Sequence, residues 1–147
     1  MKKSLFFALI ALCVTLGLCF AQKKSAATKS SFDVDLTRMS STMVYAKVFN
    51  MLTQPEQYEG KTVRMRGNFD VFEYEENDTA HRTFACIIQD ATACCAQGMV
   101  FALKGNPAYP QDYPERFAEI TVTGTFHQEE EDGLSKILLV NSTLDEK

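Results

Sequence analysis

Residues 62–71 read TVRMRGNFDV, and the alternation within them decides the architecture. Val63, Met65, Gly67, Phe69 and Val71 fall on one face, and Arg64, Arg66, Asn68 and Asp70 on the other. Strict alternation at this length is the signature of a long, half-buried β-strand. Beyond Val71 the apolar role moves to Phe72 and Tyr74. A phase slip beside an interior glycine predicts a bulge or a sharp coil in the strand.

Upstream, TMVYAKVFNMLTQ (42–54) places Val44, Val48, Met51 and Leu52 on one helical face, which Tyr45 and Phe49 widen. Ser40 and Ser41 are good N-caps, Pro55 begins a further turn, and Gly60 fits the position just past its end. Downstream, EENDTAH (75–81) is a turn and RTFACIIQD (82–90) a second strand with Phe84, Cys86 and Ile88 on one face. GMVFALKG (98–105) is a third strand, with Met99, Phe101 and Leu103 aligned. The three prolines of NPAYPQDYPERF (106–117) exclude a central strand. AEITVTGTFHQ (118–128) is a fourth strand, EEEDG (129–133) a turn and LSKILLVNS (134–142) a fifth strand.

Five strands, a long bent first strand and a longer connection between the third and fourth predict a mainly β fold. The expected form is a small five-stranded OB-like barrel, with the N-terminal helix preceding strand one and covering an open end. The Pro/Tyr segment would replace the usual helix between strands three and four, with one short turn around residues 114–117. An open sandwich or a β-grasp-like α+β fold is the alternative.

The N-terminus speaks to location. Lys2 and Lys3 precede an uncharged apolar run, residues 4–20, and AQKKSAATKSS follows. This reads as a signal peptide over 1–21, a flexible tether over 22–31 and one domain over 32–147. Cys19 and Ala21 are the small residues that signal peptidase reads, with cleavage after Ala21. In the alternative, LGLC makes Cys19 a lipidated cysteine. The chain is then exported, periplasmic or extracellular, and meets a membrane only through that anchor. From residue 32 on there are 19 acidic side chains against 10 Lys and Arg. So acidic a domain repels nucleic acid and anionic headgroups. A peptide, glycan or protein ligand fits the charge better, and the chain is expected to be a monomer without enzymatic activity.

Three segments together, NMLTQPEQYEGKTVRMRGNF, ACIIQDATACCAQGMVFAL and ITVTGTF, are similar to an uncharacterised family of small secreted or lipid-anchored bacterial proteins. Its pattern is P…Y.GK.V…G, a D.TACC..G..F hairpin and an I.V.G.F strand, and the resemblance covers most of residues 42–128. The hairpin also resembles, more weakly, one in the soluble domain of a family of bacterial membrane proteins paired with permeases. The resemblance implies an OB-like barrel in the cell envelope and implies no activity.

Four groups of side chains are candidates for chemistry. Cys94 and Cys95 at a turn could give Zn²⁺ or copper two soft ligands, with Cys86 as a third and Asp90, His81 or His127 as a fourth. The same thiols could form a disulfide or a redox pair, or simply pack, with Cys86 between Phe84 and Ile88 and one of the pair under the barrel rim. The absence of Lys or Arg between residues 83 and 103 weighs against an activated thiolate. Tyr109 and Tyr113, with Phe117, form either a ligand surface or an aromatic plug over one barrel end. Arg64, Arg66 and Arg82 are the cations nearest the strands that OB-folds use for ligands. Finally, QEEEDG lacks the ligand spacing of a calcium loop and is expected to be a solvated turn.

Overall fold

The computed structural model describes residues 31–76, 79–105, 107–131 and 133–145. The expected signal peptide with Cys19 and Ala21, and the expected tether up to residue 30, lie outside the described residues.

The described residues hold six strands and one α-helix. Strand β1 (Val34–Asp35) is followed by helix α1 (Ser41–Thr53), a 3-10 turn at Pro55–Gln57, and strands β2 (Thr62–Glu76) and β3 (Thr79–Gln89). Then come β4 (Ala96–Leu103), β5 (Glu119–Glu131) and β6 (Leu134–Leu144). They form one sheet in the order β1-β2-β3-β4-β6-β5, with a further pairing between β2 and β5. The order therefore returns on itself through β2. All neighbours run antiparallel except β1–β2 and β4–β6, which are parallel.

Strand β2 serves two partners. Residues 62–68 pair with β5 and residues 68–76 with β3, so Asn68 faces both Glu119 and Ile87. The handover falls at Asn68, next to Gly67, where an added Cβ would lie 2.4 Å from the carbonyl oxygen of Ile87. Only glycine lets the two strands approach this closely. Of the two expected alternatives, a bulge or a sharp coil, the bulge is absent, because both ladders of β2 run without a register shift. Phe72 and Tyr74 keep the outward phase of Asp70 and are 49 % and 51 % exposed. The β2–β3 ladder also continues to Glu76↔Thr79, past the residues expected to turn. Tyr74 stacks on His81 across it, with ring centroids 5.2 Å apart, and Arg82 pairs with Glu73 at 2.6 Å. Cross-strand pairs of this kind prolong a hairpin beyond its core.

The inward faces meet in one core. Met65, Phe69, Met99, Phe101, Val122, Phe126 and Leu139 are almost wholly buried. Helix α1 lies against β3 and β4 and buries Val48 and Met51. Phe49 is 56 % exposed, so it does not widen that face. Strand β1, too short to show a period, sets Val34 beside Val63 and leads into buried Leu36.

Candidate functional site: the β3–β4 hairpin and the sheet face beside it

Beyond the last pair of the β3–β4 ladder, Gln89↔Ala96, residues 90–95 close the hairpin. The Asp90 N–H donates to the Cys95 carbonyl at 3.0 Å, and the Ala93 N–H to the Asp90 carbonyl at 3.1 Å. Ala93 takes a left-handed conformation, φ 56°. The Asp90 carboxylate organises the turn: Oδ1 accepts the N–H groups of Thr92 at 3.2 Å and Cys94 at 3.0 Å. A short acid accepting backbone donors two residues on is what makes aspartate a turn former. Neighbouring side chains on a strand point to opposite faces. The bend at residue 94 removes that constraint, and the two Sγ atoms lie 3.5 Å apart. Cys94 Sγ is 3.3 Å from Asp90 Oδ2 and 3.1 Å from Thr92 Oγ1. One ligand atom from each of Asp90, Cys94 and Cys95 lies within 4.8 Å of the others.

The three residues are electrostatically linked. Burial raises the Asp90 carboxyl, but hydrogen bonds from Cys94 and Thr92 and from the Cys94 and Cys95 backbone outweigh it, leaving a net lowering. The Cys95 thiol is raised, first by its hydrogen bond with Cys94, then by burial and by the Asp90 charge. Both thiols are exposed, so neither is tucked under a rim, and all three cysteines are free.

Cys86 does not join them. It is fully buried between β2 and β4 neighbours, and burial pushes its thiol up to about 12. The expectation that Cys86 supplies a third ligand is corrected for a plain reason: its side chain belongs to the inward face of β3. The histidines are engaged elsewhere. His127 Nδ1 lies 2.8 Å from Glu59 Oε1, and His81 stacks on Tyr74 at the far end of β3.

Tyr109 and Tyr113 are half-buried and close over the aromatic end of the core. Tyr113 stacks on Phe84 and on Phe69, and Tyr109 tilts against Phe84 at 5.5 Å. Phe117, 66 % exposed, is not part of this plug; the expected short turn forms beside it, closed by the Ala118 N–H donating to the Glu115 carbonyl at 3.1 Å. Arg64 pairs with Asp145 and lies over the Phe32 ring at 5.1 Å. Arg66 edges a separate cleft with Asn68, Glu119 and the start of α1. These arginines do not combine with the tyrosines. The cation over Tyr109 is Arg82, at 5.2 Å from the ring centroid.

Beside the hairpin lies a surface that the alternation along β2 did not reveal. Phe72, Ala85, Ile87 and Val100 line a shallow cleft of about 450 Å³ on the outward face of β2, β3 and β4, with Asp70, Gln97 and Gly98. The Ile87 side chain folds over Gly98, where an added Cβ would lie 2.7 Å from Ile87 Cδ1. The readable signal was FACII (84–88), which is apolar in both phases. A strand with one face in water shows one apolar phase, and two apolar phases mark a strand with two apolar faces. No protein-family model matches the chain, and no curated protein or solved structure matches it.

Proposed function

We propose that this chain is an exported, non-enzymatic binding protein of the cell envelope, built on a five-stranded OB-like barrel. Its ligand is a peptide or protein segment with an apolar anchor and basic flanks. The barrel is supported by β2 pairing with both β3 and β5, and by the parallel β4–β6 pair among otherwise antiparallel long strands. Export is supported by the charged start and apolar run of residues 2–20.

The observation that carries the ligand class is the apolar outward face of β2, β3 and β4. In an OB-fold this is the side on which ligands bind. Nucleic-acid binders place cations and several aromatics there. Here half-buried Ile87 and Val100 offer aliphatic surface over buried Ala85, Phe72 is the one aromatic of the cleft, and Asp70 is held by Arg116 at 2.7 Å. Aliphatic surface suits a protein side chain better than a sugar or a base. The acidic excess of residues 32–147 favours lysine or arginine around that anchor. Because the strand order returns on itself, a partner would bind through its side chains rather than by adding a strand to a long free edge.

The test is selection of a displayed random peptide library on the exported chain, followed by affinity measurement on Phe72→Ser and Val100→Asp. Enriched peptides with an aliphatic or aromatic anchor, bound at least tenfold more weakly by both variants, support the proposal. Enrichment indifferent to both substitutions would remove its basis.

A further inference from the structure

We propose that Asp90, Cys94 and Cys95 form a binding site for one Zn²⁺ ion at the tip of the β3–β4 hairpin. The site is independent of the apolar cleft. Zinc bound tetrahedrally at about 2.3 Å from each of two thiolates would hold the sulfurs about 3.8 Å apart, and a carboxylate oxygen at about 2.1 Å would sit about 3.6 Å from either sulfur. The free hairpin holds the two sulfurs at 3.5 Å and Cys94 Sγ to Asp90 Oδ2 at 3.3 Å. Those two pairs need shifts of only a few tenths of an ångström, and the third, Cys95 with half-buried Asp90, already lies within 4.8 Å and closes by rotation of the exposed Cys95 side chain.

The division of labour within Asp90 strengthens the case. Oδ1 holds the Thr92 and Cys94 N–H groups and keeps the turn, while Oδ2 faces the Thr92 hydroxyl and the Cys94 thiol. Zinc can therefore take Oδ2 and displace the thiol proton without undoing the turn. Both thiols lose their protons to solvent on binding, so uptake releases about two protons per ion. Thr92 Oγ1, 3.1 Å from Cys94 Sγ, is placed to donate to the thiolate. Two sulfurs with one hard oxygen suit Zn²⁺, whereas Cu⁺ prefers sulfur alone. Both thiols are exposed, and His81, His127 and Cys86 are engaged elsewhere in the fold. The fourth position is therefore open to water or to a donor from a partner, as in zinc sites that exchange ligands.

The experiment uses the exported chain, reduced and freed of metal, titrated with Zn²⁺ against a chromophoric chelator and separately with Co²⁺. The expected result is one ion per chain, a thiolate-to-cobalt charge-transfer band, and release of about two protons. Cys94→Ser and Cys95→Ser abolish the band. Asp90→Asn, which keeps an oxygen for the turn, weakens zinc at least tenfold, while Cys86→Ala and Phe72→Ser leave it unchanged. No stoichiometric zinc would overturn the site. So would Cu⁺ binding indifferent to Asp90→Asn, or one zinc shared by two chains.

Discussion

Tyr113 lies nearly flat on Phe84, with ring centroids 4.0 Å apart and planes 22° apart. The contact ties the Pro/Tyr segment to β3 and closes the aromatic end of the core. Removing a buried aromatic side chain costs about 3–5 kcal/mol, and a half-buried one proportionately less. Tyr113→Ala should therefore lower stability by about 2 kcal/mol. Phe117→Ser, on the same segment but largely exposed, should stay within about 0.5 kcal/mol. Urea unfolding of the two variants checks the difference.

Two glycines test how β2 and β4 approach their neighbours. At Gly67 an added Cβ would meet the Ile87 carbonyl oxygen at 2.4 Å, and backbone cannot move aside. At Gly98 it would meet the tip of the Ile87 side chain at 2.7 Å, which can rotate away. Gly67→Ala should cost about 3 kcal/mol, at the upper end of the usual overpacking range. Gly98→Ala should cost about 1 kcal/mol and narrow the outward cleft. Equal losses in the two variants would contradict the close approach at Gly67.

Cys86 gives the alkaline limb of stability a sign. Its thiol ionises near 9 when unfolded and at about 12 when folded. Below the unfolded value both states are protonated and the burial is harmless. As pH rises above 9, the unfolded state alone loses its proton, and the fold weakens by up to about 1.4 kcal/mol per pH unit until the folded value is reached. Cys86→Ala removes this slope at the expense of a small cavity. Between pH 8 and 10.5, the melting temperature of the wild type should fall faster than that of Cys86→Ala. Parallel curves would mean that Cys86 is accessible to solvent.

Asp90 should govern the hairpin before any ion binds. Its Oδ1 accepts the N–H groups of Thr92 and Cys94. In Asp90→Ala those amides lose their acceptor and should exchange hydrogen markedly faster, while amides of the β3–β4 ladder keep their protection. Asp90→Asn should stay close to the wild type, since its amide oxygen can accept the same bonds. Unchanged exchange at Thr92 and Cys94 in Asp90→Ala would show that the backbone alone sets the turn.

Alternation along 62–71 and 118–128 made the inward faces of β2 and β5 legible, because a half-buried strand writes its burial as a period of two. The helix face around Val48 and Met51 was equally readable. The phase slip read after Val71 does not occur, because Phe72 and Tyr74 are exposed aromatics of the outward phase, and hydrophobicity alone does not say which side of a sheet a residue faces. The short strand β1 carried no period to find. DATACC pointed to the hairpin, yet only the fold separates Cys86, held inward by β3, from the two thiols that a turn brings together. Convergence of side chains from different strands is a property of register, which local sequence does not carry.

The central claim is that the outward face of β2, β3 and β4 is where this protein meets its partner. Amide chemical-shift mapping of the protein, titrated with a peptide selected on it, tests this most directly. The account predicts one contiguous set of perturbed residues over 70–72, 85–87 and 96–100, abolished in Val100→Asp. Perturbations confined to the cleft beside Arg66, or to the Tyr109–Tyr113 plug, would contradict it.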